Sequence, residues 1–229
     1  MIVISSVFGD KLLTTVETKI SEVSSNKAKI NIGDLVVGQS GVIVDKNSMI
    51  IAIAQIINSE QNSSTISFNK TTILKQDAIP TSKNNVSNGD IFVLNHLYGT
   101  SLAIVPNYDS KKLVEKLYPN QIFLSEDFFA SYLKLNDTPI PTKEDIKEFC
   151  KNRQIGTLFF VVDKVLYIVD TNSFKILKTE SLDIEDDKIK VPFYSKIKEI
   201  KKSFWDFGDD NITNYNEYYT NILGLKDDK

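Results

Sequence analysis

Apolar and polar positions alternate with a period of two over much of the first half of the chain. Residues 27–32 alternate strictly, and a later β-branched stretch is interrupted by Gly38 and Gly41. Alternation is typical of strands that bury one face, and glycines inside a strand pattern indicate a turn or bulge. The continuous apolar run 49–57 predicts a buried strand. Short strands at this spacing predict a small barrel or sandwich over residues 27–108.

The end of this β-rich module predicts a hairpin. Two apolar stretches, 90–94 and 102–105, flank the turn signal Tyr98-Gly99. A glycine-containing turn between two strand-like stretches favours their direct antiparallel pairing. We therefore expect residues 90–94 to pair with residues 102–105.

Beyond Pro106 the period becomes helical. Helix N-caps are predicted at Asp109-Ser110, at Ser125, and at Thr142, which forms a capping-box pattern with Asp145. These signals alternate with strand-like stretches, which predicts an α/β layer.

The last quarter of the chain predicts an antiparallel meander followed by a helix. The meander consists of strands at 157–162, 165–170 and 174–179, and a tyrosine-rich helix over 211–223 ends at Gly224. The fold class is therefore α+β, with a β-rich barrel-like or sandwich-like module followed by an α/β module with an antiparallel meander.

The N-terminal segment supports two interpretations. The apolar run 2–9 is too short to span a membrane, and it lacks the basic head of a secretory signal. Its end, Val7-Phe8-Gly9, has the small-x-small character of a signal peptidase site. The run is either a signal remnant whose head lies upstream or the first strand of the fold. We assign residues 1–26 to this segment, 27–108 to the β-rich module and 109–229 to the α/β module.

Composition narrows the function classes. The chain has 27 basic and 30 acidic side chains, so it lacks the basic excess of nucleic-acid-binding proteins. One cysteine and one histidine exclude an intrachain disulfide, a cysteine-rich zinc site and a two-histidine metal motif. Cys150 is predicted to be buried on a helical face, and His96 to be exposed or hydrogen-bonded. We therefore assign no catalytic, cofactor-binding or metal-binding residue and predict that the protein is not an enzyme. Because no apolar segment is long enough to span a bilayer, we also predict no transmembrane helix.

Two sequons are candidate modification sites. Asn62 and Asn211 each begin an Asn-x-Ser/Thr pattern, and an acidic residue, Glu60 or Asp209, lies two positions before each of them. This extended form resembles the acceptor of the bacterial periplasmic glycosylation system. The alternative is a chance match in a chain rich in Asn, Ser and Thr.

The last residues are a candidate for partner binding. The sequence ends at Lys229 and has a further lysine at Lys226. A terminal lysine offers an ammonium and a carboxylate together, which kringle modules capture in an aromatic-lined groove with charges of both signs. A solvated tail without function is the alternative.

An ordered set of segments carries a resemblance to a known family. The segments run from Ile30 to Leu225, and they are 37–44, 89–93, 102–107, 123–127, 156–183 with Cys150 before it, 192–195 and 214–219. This set resembles the plasminogen-binding protein N-terminal domain family of exported envelope proteins from Gram-negative bacteria. The resemblance implies an exported protein, in the periplasm or at the cell surface or outer membrane, and it supplies no catalytic residues.

Two functions follow as expectations. The first is binding of host plasminogen through Lys229, supported by Lys226. The second is a periplasmic structural or assembly role in which the folded surface binds other envelope proteins. Its candidate contacts are the aromatic side chains near the C-terminus, namely Phe204, Trp205, Phe207, Tyr215, Tyr218 and Tyr219, of which we favour Trp205, Tyr218 and Tyr219. Alternatively, these rings cover the core.

Overall fold

The computed structural model describes residues 12–70, 85–184, 188–197 and 212–225. The chain divides into two compact units: Met1–Tyr98 with Ser173–Leu177, and Gly99–Asn172 with Lys178–Lys229. The α+β class is confirmed, because a β-rich unit is followed by a unit with a mixed sheet and helices. The module boundaries placed after residues 26 and 108 stay predictions, and the apolar run 2–9 lies outside the described residues.

The first unit contains a closed barrel of six strands. They are β1 (Val16–Ser24), β2 (Lys27–Ile30), β3 (Ser40–Val44), β4 (Ile50–Ser59), β5 (Ser64–Lys70) and β6 (Ile91–Leu94). Around the barrel the order is β1-β2-β5-β4-β3-β6, every pair is antiparallel, and β6 closes onto β1. The predicted alternation holds in β2, where Ala28 and Ile30 are buried and Lys27 and Lys29 are exposed.

Glycine is required where β3 and β6 approach each other. A Cβ atom on Gly41 would lie 2.2 Å from the carbonyl oxygen of Val93 and 2.8 Å from the ring of Phe92. Gly38, just before β3, has a φ of +104°, which side-chain-bearing residues rarely adopt. The predicted turn or bulge at these glycines is thus a left-handed turn at Gly38 and a close strand contact at Gly41.

The second unit contains a five-stranded mixed sheet with helices. The strands are β7 (Thr100–Ile104), β8 (Ile122–Leu124), β9 (Thr157–Val162), β10 (Val165–Asp170) and β11 (Ile176–Ser181); β11 begins in the segment assigned to the first unit. The helices are α1 (Tyr108–Leu117), α2 (Glu126–Leu135), α3 (Lys143–Asn152) and α4 (Tyr215–Leu223).

The strand order of this sheet is β11-β10-β9-β7-β8. β7 pairs in parallel with both β8 and β9, and β9 pairs antiparallel with β10. All six residues of β9 are buried, and the Phe159 ring makes edge contacts with Tyr118 and Phe123 at centroid distances of 5.0 Å. The core of the second unit is therefore centred on β9.

The predicted hairpin between residues 90–94 and 102–105 is wrong. β6 lies in the barrel between β1 and β3, whereas β7 lies in the other sheet between β8 and β9. Both edges of β6 are occupied by barrel strands, so β6 has no free edge for β7. The glycine turn at Gly99 marks the end of the barrel unit rather than the centre of a hairpin.

The helix ends follow the predicted capping chemistry with two corrections. Thr142 and Asp145 form the capping box, Ser125 caps α2, and Gly224 ends α4 in the left-handed conformation. The N-cap of α1 is Asn107, not Asp109-Ser110, because the Asn107 side chain accepts from the Ser110 backbone N–H. Helix α4 begins at Tyr215 instead of residue 211, after the N-cap Asn214.

Candidate functional site

Four of the predicted site residues cannot be placed. Lys226, Lys229, Trp205 and Asn211 lie outside the described residues, so their roles stay predictions. Phe204 and Phe207 of the wider aromatic set are also outside them.

Two of the predicted partner-binding tyrosines lie on α4. Tyr219 has no exposed surface and packs against Phe160 and Tyr215. A ring in this position cannot contact a partner without leaving the core, so the assignment of Tyr219 to partner binding needs correction. Tyr218 is half-buried, and its hydroxyl donates to the carbonyl of Pro141 at 2.9 Å.

The sequon at Asn62 lies on the turn between β4 and β5. Asn62 is exposed, and the turn is fixed by a hydrogen bond from Glu60 N–H to the Ser63 carbonyl at 2.8 Å. The position gives a glycan access to solvent. Modification of Asn62 stays a prediction.

Cys150 and His96, the single cysteine and the single histidine, belong to different units. Cys150 is buried as predicted, and burial raises the pKa of its thiol far above the ordinary range, which disfavours the nucleophilic thiolate. His96 is exposed and belongs to the other unit. Over the described parts of the chain, no group of three or more His, Cys, Asp or Glu side chains is placed to hold a metal ion.

A surface with polar and aromatic character forms where the segment 188–197 crosses the start of α1. The backbone of this segment is held by two hydrogen bonds of 2.8 Å. Tyr194 N–H donates to the Val105 carbonyl, and Lys190 N–H donates to the Pro106 carbonyl. The buried ring of Phe193 anchors the same segment by stacking on Phe129. The segment is therefore fixed on the helical unit by both backbone and side chain.

Two tyrosines and two lysines make up this surface, which we call the tyrosine–lysine platform: Tyr108, Lys112, Lys190 and Tyr194. The two rings lie 5.7 Å apart. The Lys112 ammonium lies 4.9 Å from the centroid of Tyr108, and the Lys190 ammonium lies 5.0 Å from that of Tyr194. Cation–π attraction of this kind holds a long side chain near one position.

An ion pair lies beside the platform. The Lys111 ammonium contacts the buried carboxylate of Glu126, and Glu115 lies 3.8 Å from the same ammonium. Burial alone would lower the pKa of Lys111, but the hydrogen bond and charge of Glu126 outweigh it and raise the pKa. The Lys111 ammonium is therefore engaged by Glu126 within the folded unit.

Helix α2 exposes an apolar stripe that the sequence analysis did not single out. We call Phe128, Tyr132 and Leu135 the α2 stripe, because their spacing of four and three residues places them on one helical face. Phe128 is 57% exposed and Leu135 85%, whereas Phe129 and Leu133 are buried. Adjacent residues of a helix point about 100° apart, and here Phe129 faces the core while Phe128 faces outward.

The described helices do not cross a membrane: none of them is long and apolar enough for a bilayer span.

Comparison with known proteins relates the chain to one family. The profile of the family described as plasminogen-binding protein pgbA N-terminal matches residues 15–223. Two curated relatives, both plasminogen-binding protein PgbA from Helicobacter pylori (strains J99 and 26695), are 26% identical over 196 residues, which is 83% of this chain and 43% of each relative. The chain thus spans less than half the length of these relatives. Their names describe binding proteins and not enzymes.

Proposed function

This chain belongs to the plasminogen-binding protein PgbA N-terminal family, and from that premise we propose that it is a non-enzymatic protein that binds host plasminogen. The observation that carries the proposal is the extent of the family match, which runs from residue 15 to residue 223 and so takes in both compact units. An exported location in the periplasm or at the cell surface is part of the same proposal.

The proposed contact uses lysine side chains. Lys229, supported by Lys226, supplies a positive charge on a chain that has 27 basic side chains of which 26 are lysine. A lysine-binding groove attracts the ammonium through carboxylates and the apolar stem through aromatic walls. Binding of this kind is reversible by any small molecule that carries an ammonium and a carboxylate at lysine spacing.

The test is binding of the intact chain to immobilised plasminogen, measured by biolayer interferometry. We expect saturable binding that 6-aminohexanoic acid displaces, and a lower affinity when Lys229 is deleted and Lys226→Gln is added. Val3→Ala, which preserves the charge, is the control variant. Undiminished binding after loss of both lysines would contradict their role, and absence of binding by the unmodified chain would contradict the function.

We propose as a second candidate an assembly role in which the folded surface binds another envelope protein. The α2 stripe favours it, because Phe128 and Leu135 are 57% and 85% exposed on the same helical face, and apolar patches of this kind mark interaction sites. This surface replaces Tyr219 as the aromatic contact of that hypothesis.

A site-specific photo-crosslinker tests this role in the native envelope. Placed at Leu135 on α2, the crosslinker is expected to join the chain to one discrete partner, whereas the same group at exposed Lys116 on α1 is not. Equal products from the two positions, or none from Leu135, would argue against the α2 stripe as an interface.

A further inference from the structure

We infer that the tyrosine–lysine platform is a second plasminogen contact, in which Lys112 and Asp109 on α1 together present an ammonium and a carboxylate to a lysine-binding groove. The inference rests on the proposed function, because plasminogen is its partner. It gives the folded unit a part in plasminogen binding, which was so far assigned only to Lys226 and Lys229.

Lys112 has no ion-pair partner among the described residues. Its ammonium lies over the Tyr108 ring, and no carboxylate comes within ion-pair distance of it in the part of the chain that the structure describes. Lys111, its neighbour, is paired with Glu126. The Lys112 ammonium is therefore placed beside a ring with no described carboxylate in contact, which leaves it open to an acidic groove.

Lys178 and Lys29 differ from Lys112 because each contacts a carboxylate. Lys178 lies over the Tyr118 ring, but its ammonium also bonds to the Tyr118 hydroxyl and to Glu180 at 2.9 Å. Lys29 is paired with Glu22 at 2.7 Å. A groove that captured either lysine would compete with a carboxylate already in contact with the ammonium, whereas no described carboxylate competes for Lys112.

The carboxylate of Asp109 lies on the same helix as Lys112. Asp109 and Lys112 are three residues apart on α1 and both are exposed, so their side chains leave the same helical face. They are not paired with each other in the described structure. One face of α1 thus offers separated positive and negative groups, the same two charges that a terminal lysine offers.

The platform also reduces the cost of binding. Long lysine side chains lose rotamer freedom when a partner immobilises them, and a ring that already restrains the ammonium removes part of that loss. Tyr108 is 45% exposed, so its ring remains available to an aromatic groove wall. Lys190, whose ammonium is tethered to the Ser195 carbonyl at 3.2 Å, is the less available of the two lysines.

The experiment measures plasminogen affinity in a background from which the tail lysines are removed by Lys226→Gln and Lys229→Gln. Lys112→Gln is compared with Lys116→Gln, which removes the same charge from another exposed position of α1. We expect Lys112→Gln to weaken binding about tenfold, Asp109→Asn to weaken it less, and Lys116→Gln to change it by less than about twofold. Circular dichroism and the thermal midpoint check that each variant is folded.

The outcomes separate the two proposals. If the full chain binds plasminogen and 6-aminohexanoic acid displaces it, but Lys112→Gln and Lys116→Gln behave alike, the platform contact is overturned and the proposed function stands. If the full chain does not bind plasminogen, both fail. Selective loss with Lys112→Gln supports the platform.

Discussion

Strand β2 of the barrel and strand β9 of the α/β unit bury their residues in different ways. In β2 of the barrel, buried and exposed residues alternate, whereas all six residues of β9 are buried. The described apolar side chains of the barrel unit reach 50% exposure at Val37, but Leu135 on α2 reaches 85%. A strand buried on both faces, such as β9, has no side chain left for recognition, and both candidate surfaces of its unit lie on other elements.

The largest loss of stability is expected from a substitution in the core of the second unit. Phe159→Ala removes a fully buried ring that contacts Tyr118 and Phe123, and it should lower the free energy of unfolding by about 4 kcal/mol. Phe159→Leu, which keeps most of the volume, should cost about 1 kcal/mol. Urea denaturation followed by circular dichroism measures both. Equal losses for the two variants would show that β9 is not the tightly packed centre described above.

A smaller loss is expected in the barrel. Gly41→Ala forces a methyl group against the Val93 carbonyl at 2.2 Å and should cost about 3 kcal/mol through displacement of β3 from β6. Gly99→Ala is the matched control, because its added methyl group meets no atom within 4 Å. Hydrogen exchange should show lost protection in β3 and β6 only for Gly41→Ala. Unchanged exchange in these strands would contradict the close approach.

Two neighbouring tyrosines of α4 should respond in opposite ways. The Tyr215 hydroxyl donates to the buried Ile104 carbonyl at 2.8 Å, so Tyr215→Phe should cost about 1.5 kcal/mol. The Tyr219 hydroxyl is buried with no hydrogen-bond partner among the described residues, so Tyr219→Phe should leave stability unchanged or raise it. Thermal unfolding compares the pair. A loss in Tyr219→Phe as large as in Tyr215→Phe would reveal a partner for that hydroxyl.

The smallest expected effect is on the rate of modification of Cys150. This residue is the single cysteine and lies in the second unit, so its reactivity reports on that unit alone. Burial raises the pKa of its thiol, so the stability that comes from keeping the thiol neutral is fully present below the ordinary pKa of 9.0 and is lost as the pH rises above it. Iodoacetamide at pH 8 should therefore leave the native thiol unmodified for hours. Phe159→Ala should speed the reaction and Gly41→Ala should not. Faster reaction in Gly41→Ala than in Phe159→Ala would contradict the claim that Cys150 reports on the second unit alone.

Much of the fold follows from local patterns in the sequence. The strands β9 and β10 were predicted with their observed bounds, and the capping box at Thr142 was found because two side chains three residues apart determine it. The strand β1 was missed, because Ile20 is its single fully buried residue and a bulge interrupts its pairing. The pairing partner of β7 was also missed, since parallel neighbours distant in sequence leave no local signal.

The candidate surfaces were harder to predict than the fold. The platform joins α1 to residues more than 70 positions later, and no periodicity within either segment reports that Tyr108 and Tyr194 meet. The adjacent pair Phe128-Phe129 did not identify the α2 stripe, because neighbouring residues of a helix can both be buried, as Phe129 and Ala130 are. The residue type alone could not predict whether Tyr219 is buried or exposed, since tyrosines occur both in cores and at interfaces.

The parallel pairing of β7 with β9 has a consequence for biosynthesis. Residues 101–104 of β7 emerge from the ribosome more than 50 residues before their partners at 157–160. Until β9 has been translated, the buried side chains Leu102 and Ile104 lack the neighbour that covers that edge. Completion of this sheet is therefore delayed until the meander has been made, and a chaperone that shields β7 in the interval would raise the yield of folded chain.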